Sequence, residues 1–121
     1  MATVLIVEDD VFIRDLAEMM IQDWDHHTLM ASDVDEALTF LRSPEHIDAL
    51  FTDIHLKAAI LGGCELVHQA IKLRPGLRVL YTTGNSVTEK MKAMFVVNTH
   101  FLPKPYTQRQ LQSCFAAMLA A

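Results

Sequence analysis

The sequence predicts an α/β protein built on a parallel sheet of five strands with helices on both faces. Three observations predict it. Short apolar runs alternate five times with stretches whose apolar residues recur at helical spacing. The runs Val4-Leu5-Ile6-Val7, Ala49-Leu50-Phe51-Thr52 and Val79-Leu80-Tyr81-Thr82 show no polar alternation, as strands buried on both faces require. The runs also end on residues of chemical consequence: Glu8 and Asp9, Asp53, Thr83, and Lys104 after a weaker last run. A parallel sheet gathers its strand C-termini along one edge, where open α/β sheets keep their chemistry.

In order, Thr3 to Val7 is the first strand, and Asp10 is placed to cap the helix that follows. That helix runs from Val11 to Asp23, with Phe12, Leu16, Met19 and Met20 at helical spacing. His26 to Ala31 reads as a weaker second strand. Ser32 or Asp33 then caps a helix to about Arg42, with Val34, Ala37, Leu38 and Leu41 inward, and Ser43-Pro44 ends it. Asp48 to Thr52 is the third strand, closed by Asp53. Lys57 to Gly63 is a loop, Cys64 to Leu73 a helix with Leu66, Val67, Ala70 and Ile71 inward, and Pro75-Gly76 its stop. Leu77 to Thr82 is the fourth strand and Ser86 to about Phe95 a short helix. Val96 to His100 is irregular or opens the fifth strand, which ends at Pro103-Lys104-Pro105. Thr107 caps the last helix, through about Ala120, with Leu111, Cys114, Phe115 and Met118 inward.

Composition narrows the function classes. At 121 residues and 51% hydrophobic the chain can bury a core as one domain. The net charge of -5 argues against direct nucleic-acid binding, which needs a basic face. No uninterrupted apolar run is long enough to span a bilayer, and nothing before Thr3 reads as a signal peptide. Cys64 and Cys114 are expected as reduced, structural thiols in a cytoplasmic setting. The six histidines form no ligand cluster, and the seven methionines are expected mostly on inner helix faces.

Glu8, Asp9, Asp53, Thr83 and Lys104 therefore share one sheet edge. Three carboxylates crowded together repel one another and need a cation. Oxygen donors favour Mg²⁺, or Mn²⁺, which also takes phosphate oxygens. One carboxylate can then act as nucleophile toward phosphorus, with a hydroxyl and an ammonium to hold the remaining oxygens.

The segments Val4-Leu5-Ile6-Val7-Glu8-Asp9-Asp10, Leu50-Phe51-Thr52-Asp53-Ile54, Val79-Leu80-Tyr81-Thr82-Thr83-Gly84 and Phe101-Leu102-Pro103-Lys104-Pro105 carry a resemblance. In that order and spacing, the chain resembles the CheY-like receiver domains of bacterial two-component response regulators, over its whole length. The resemblance implies a flavodoxin-like (βα)5 fold with strand order 2-1-3-4-5, and residues 1–121 are expected to form one receiver domain with no output domain. It implies that Asp53 accepts phosphate from a histidine kinase or phosphotransfer protein. Glu8, Asp9, Asp53 and the backbone carbonyl of His55 would hold Mg²⁺. Thr83 and Lys104 would contact the phosphoryl group, Phe101 falls at the family's rotating aromatic switch, and Gly84 leaves the site open. His55 and Asn85 sit where the family tunes phosphate lifetime. The output would be binding to a downstream target protein, as a monomer or a phosphorylation-dependent dimer, with no membrane and no direct nucleic-acid partner.

The chain also departs from the family pattern. Glu8 stands where Asp is also common. After Asp53, Leu56-Lys57 replaces the usual Met-Pro, and Gly62-Gly63-Cys64-Glu65-Leu66 comes two residues late. The longer loop supports an alternative, a pseudo-receiver that docks other proteins without phosphorylation. A Mg²⁺-dependent aspartyl-phosphate phosphohydrolase would carry a second acid two residues after the nucleophile, and here that residue is His55. A flavin binder would want a phosphate loop after the first strand, where this chain has acids. The expectation is thus a switch that catalyses only its own phosphorylation and dephosphorylation, and no enzyme otherwise.

Overall fold

The computed structural model describes residues 1–56, 61–96 and 99–120. Five strands, β1 (Thr3–Val7), β2 (His27–Ala31), β3 (Ala49–Asp53), β4 (Arg78–Thr83) and β5 (His100–Pro103), alternate with five helices. These are α1 (Val11–Asp23), α2 (Val34–Leu41), α3 (Gly62–Leu73), α4 (Glu89–Met94) and α5 (Gln108–Ala120). The strands form one parallel sheet in the order β2-β1-β3-β4-β5, the expected topology.

Alternation along the strands divides the core in two. Leu5 and Val7 of β1, Leu50 of β3, and Val79 and Tyr81 of β4 pack against α2, α3 and Met91 of α4. Val4, Ile6, Phe51 and Leu80 point the other way, onto Ala17, Met20 and Ile21 of α1 and Leu111, Phe115 and Met118 of α5. Both faces are covered, so the central strands tolerate no polar alternation.

Side chains close the helix ends. Asp10 accepts from the N–H groups of Phe12 and Ile13 at 2.9 and 3.2 Å. Asp33 accepts from Glu36 N at 2.8 Å, while the Glu36 carboxylate takes the Ser32 N–H. Thr107 and Gln110 exchange side-chain-to-backbone bonds in the same reciprocal way.

Four expectations need correction. The apolar stripe foreseen on α1 faces mostly outward: Phe12, Leu16 and Met19 are exposed at 83%, 56% and 62%. The core takes Ala17, Met20 and Ile21, which have equally good helical spacing. Met19 is consequently an exposed methionine, and Met1, ahead of β1, is exposed as well. The fourth helix starts at Glu89 rather than Ser86, because Thr88 supplies the cap, accepting from Met91 N at 3.1 Å. The third helix starts at Gly62, two residues before Cys64, and the second strand starts at His27 rather than His26. Lys57 to Ile60 of the foreseen loop, and Val97 and Asn98 before β5, lie outside the described residues.

Candidate functional site

Strand register sets the site. Asp53 pairs with Thr82 across β3 and β4, and Thr83 with Pro103 across β4 and β5. Val7 pairs with Thr52, which brings the residue after β1, Glu8, beside Asp53. The Lys104 N–H donates to Thr83 O at 2.9 Å, extending the ladder by one residue. Arg14 of α1 reaches back and donates to Glu8 O at 2.9 Å, fixing the turn between β1 and α1.

Glu8 and Asp53 are both buried, and Lys104 serves both. Its ammonium lies 2.5 Å from Glu8 Oε1 and 2.8 Å from Asp53 Oδ2. Two buried carboxylates need such a partner, since an unpaired buried charge is costly. Burial pushes the Glu8 carboxyl up to about 7 against the pull of the Lys104 bond, and the Asp53 charge adds to the rise. Burial disfavours the Lys104 ammonium too, but its bonds to Asp53 and Glu8 outweigh that and raise its pKa above the ordinary lysine value.

Glu8, Asp9 and Asp53 each offer a carboxylate oxygen, and these oxygens lie within 4.8 Å of one another. An all-oxygen, acidic donor set of this span fits a hard divalent cation such as Mg²⁺. Thr82 Oγ1 is buried with no hydrogen-bond partner among the described residues, and Thr82 lines a void of about 10 Å³ together with Glu8, Asp53 and Tyr106.

The remaining expected residues take distinct places. Thr83 is buried, and its hydroxyl is bonded to His55 Nδ1 at 2.8 Å and to the Asn85 N–H at 3.2 Å. His55 N donates to Asp53 Oδ1 at 3.2 Å, so His55 enters the site through both its ring and its amide. Asn85 is exposed and contributes backbone there. Gly84 is exposed, and the Lys104 side chain lies 3.9 Å from where a Cβ would stand. Phe101 is half-buried in a row of three rings. Its centroid is 5.9 Å from that of Phe95, which stacks on Tyr81 at 4.7 Å.

Sequence reasoning passed over two residues that shape the site. Gly63 N donates to Ile54 O, and a Cβ on Gly63 would stand 2.0 Å from Asp53 O, so the start of α3 presses directly on the end of β3. Its signal was the Gly62-Gly63 pair, read only as loop. Tyr106 forms the wall of the void beside Glu8 and Asp53, and burial raises its phenol to about 12. An aromatic just after Lys104-Pro105 was the available sign. Among the described residues no helix is long and apolar enough to cross a membrane.

Comparisons with known proteins agree with this geometry. The family model for the response regulator receiver domain matches residues 4–116. A response regulator receiver protein of Anaeromyxobacter sp. (strain Fw109-5) is 32% identical over 90 residues, which is 74% of this chain but 36% of that protein. The chain thus spans about a third of the length of that curated relative. Among solved structures, a response regulator receiver protein of Sinorhizobium medicae superposes with a TM-score of 0.90 at 23% identity, covering 99% of this chain and 95% of that one. The chemotaxis response regulator CheY4 of Vibrio cholerae gives 0.83 at 25% identity, covering 98% of each chain. With that match across nearly all of its length, and with the acids, hydroxyl and ammonium at the strand ends, the chain belongs to the response regulator receiver domain family.

Proposed function

We propose that this receiver is a phosphoacceptor switch whose acceptor is Asp53. The observation that carries the reading is the placement of Asp53: buried, within 4.8 Å of acidic ligand atoms of Glu8 and Asp9, and 2.8 Å from the Lys104 ammonium, which also holds Glu8. Glu8, Asp9 and Asp53, with the His55 carbonyl, would hold Mg²⁺ or Mn²⁺. Such a cation, when bound, offsets the negative charge of incoming phosphoryl oxygens. An Asp53 carboxylate oxygen attacks phosphorus in a phosphohistidine of a histidine kinase or phosphotransfer protein. A P–O bond forms, the P–N bond breaks, and the imidazole leaves with the electron pair. Lys104 and the Thr83 hydroxyl then hold phosphoryl oxygens, which draws on groups that lie at the ends of β5 and β4.

The exposed stripe on α1 supports a protein phosphodonor. Val11, Phe12, Leu16 and Met19 begin one residue after the Asp10 cap, beside the acids. Leu16 also borders a groove of about 600 Å³ with Ile13, Met20, Lys104, Pro105 and Tyr106. An apolar helix face next to a buried acceptor suits docking of a donor protein more than a free small molecule. The response passes to a downstream protein, and the three-ring row through Phe101 and Phe95 links the end of the sheet to α4. The chain turns over no substrate but its own phosphate, and the reading places it in the cytoplasm with its donors.

The test is intact mass after incubation with acetyl phosphate or phosphoramidate, with and without Mg²⁺. The expected result is a Mg²⁺-dependent gain of one phosphoryl group that Asp53→Ala abolishes. Labelling that survives Asp53→Ala would sink the assignment. No gain under any condition would favour a phosphorylation-independent docking module.

A further inference from the structure

The Thr83 hydroxyl is held by two groups, the His55 ring at 2.8 Å and the Asn85 N–H at 3.2 Å. It bonds to the ring of His55, a residue whose own N–H holds Asp53 Oδ1. Thr83 itself has little freedom. Its backbone is paired to Pro103 in the ladder, its carbonyl takes the Lys104 N–H, and the residue is 1% exposed. Only the side-chain torsion is left to move. A threonine hydroxyl has one proton to donate. With the ring nitrogen accepting it, a phosphoryl oxygen gets none; with the ring nitrogen donating, the bond still holds the oxygen toward His55.

From this geometry we propose that the His55 ring is a latch on Thr83, stabilising the unphosphorylated form by a hydrogen bond that must break before Thr83 can reach a phosphoryl group. The inference rests on the phosphoacceptor reading of the site and adds a regulatory residue to it. His55 acts as a positioning residue: it opposes the switch, and its replacement favours the switched form. A ligand shifts a two-state equilibrium only through differential affinity, so removing an interaction made in one state alone changes the affinity for a phosphoryl mimic by that interaction's worth. The net worth of one such bond corresponds to about a threefold to tenfold change.

The experiment is calorimetric titration with beryllofluoride, an aspartyl-phosphate mimic, in the presence of Mg²⁺. His55→Phe keeps the ring's bulk and removes the nitrogen. It is expected to bind the mimic about threefold to tenfold more tightly than the parent. His55→Asn places a polar atom where Nδ1 stands and is expected to retain the parent's weaker affinity. In a Thr83→Val background, His55→Phe is expected to change nothing, because the latch has lost its other half. Mimic binding by the parent with His55→Phe within twofold of it, or weaker, overturns the latch alone. A gain that persists in the Thr83→Val background, or that His55→Asn shows equally, also overturns it. No Mg²⁺-dependent binding to the parent overturns the phosphoacceptor reading, and the latch with it.

Discussion

Replacing Gly63 by alanine tests how tightly the start of α3 is built onto the acceptor strand. The new Cβ would stand 2.0 Å from Asp53 O and 2.8 Å from both Asp53 C and Ile54 Cα, where ordinary contact begins near 3.4 Å. All three atoms are backbone, so no rotamer change relieves the overlap. Overpacking of a core costs about 1–3 kcal/mol when side chains can adjust. With only backbone to move, the upper end applies, and the gain of alanine over glycine in a helix, about 1 kcal/mol at most, offsets part of it. The expected net loss is about 2–3 kcal/mol, or a fall of about 1–2 M in the urea midpoint at an m-value of about 1.5 kcal/mol/M. Trp24, which packs 6.0 Å from Phe115 between ring centroids, provides a fluorescence readout alongside circular dichroism. Gly76→Ala is the control, since nothing lies within 4 Å of its would-be Cβ. There the expected change is neutral to about 1 kcal/mol stabilising, through the unfolded chain. The same displacement should slow labelling of Asp53 by a small phosphodonor in Gly63→Ala and not in Gly76→Ala. A Gly63→Ala midpoint within about 0.3 M of the parent, beyond the error of the method, would refute the reasoning.

Two further outcomes are expected. Lys104→Met leaves Glu8 and Asp53 buried without their common partner. It should cost about 2 kcal/mol in urea unfolding at neutral pH, below the value for breaking a fully buried pair because Lys104 keeps some solvent contact. Asp53 should stay open to small phosphodonors in this variant while the downstream response weakens, and unchanged stability would count against the pairing. His26 provides a pH dependence remote from the site. Burial lowers its pKa, helped by the N-terminal ammonium, and its Nδ1 accepts the Ala2 N–H at 3.0 Å. A histidine whose folded pKa lies below its unfolded value of about 6.5 contributes stability above that pH and loses it as the pH falls through the folded value. The parent should therefore lose more stability than His26→Gln between pH 7 and pH 5, and equal losses in urea midpoints would contradict this.

The three central strands were legible because burial on both faces leaves an apolar run, and the convergence of Glu8, Asp9, Asp53, Thr83 and Lys104 followed from their places at the C-terminal ends of parallel strands. The face of α1 was not legible. Phe12, Leu16 and Met19 form one apolar stripe and Ala17, Met20 and Ile21 another, and periodicity does not say which one meets the sheet. Nor could the start of α4 be read, since Ser86 and Thr88 are equivalent as caps until one of them bonds to Met91 N. Within the site, residue types announced the chemistry while rotamers decided the partners. Lys104 bridging two acids and His55 holding Thr83 depend on side-chain torsions across strands, which no local pattern encodes.

The Lys104 bridge joins residues 96 and 51 positions apart in the chain, reaching Glu8 and Asp53 from beyond the last strand of the sheet. During synthesis β1, β3 and β4 can pair before residue 104 has left the ribosome. The two acids then lie side by side with no ammonium, a repulsion that the growing sheet must tolerate or quench with protons. Docking of β5 relieves it, so the arrival of Lys104 both closes the largest loop in the site and offsets part of its negative charge. Completion of the sheet and relief of that repulsion are thereby one event. A molecule without β5 could keep four strands and every carboxylate, and Asp53 could still meet a small phosphodonor, yet no ammonium would be there to answer the arrival of phosphate.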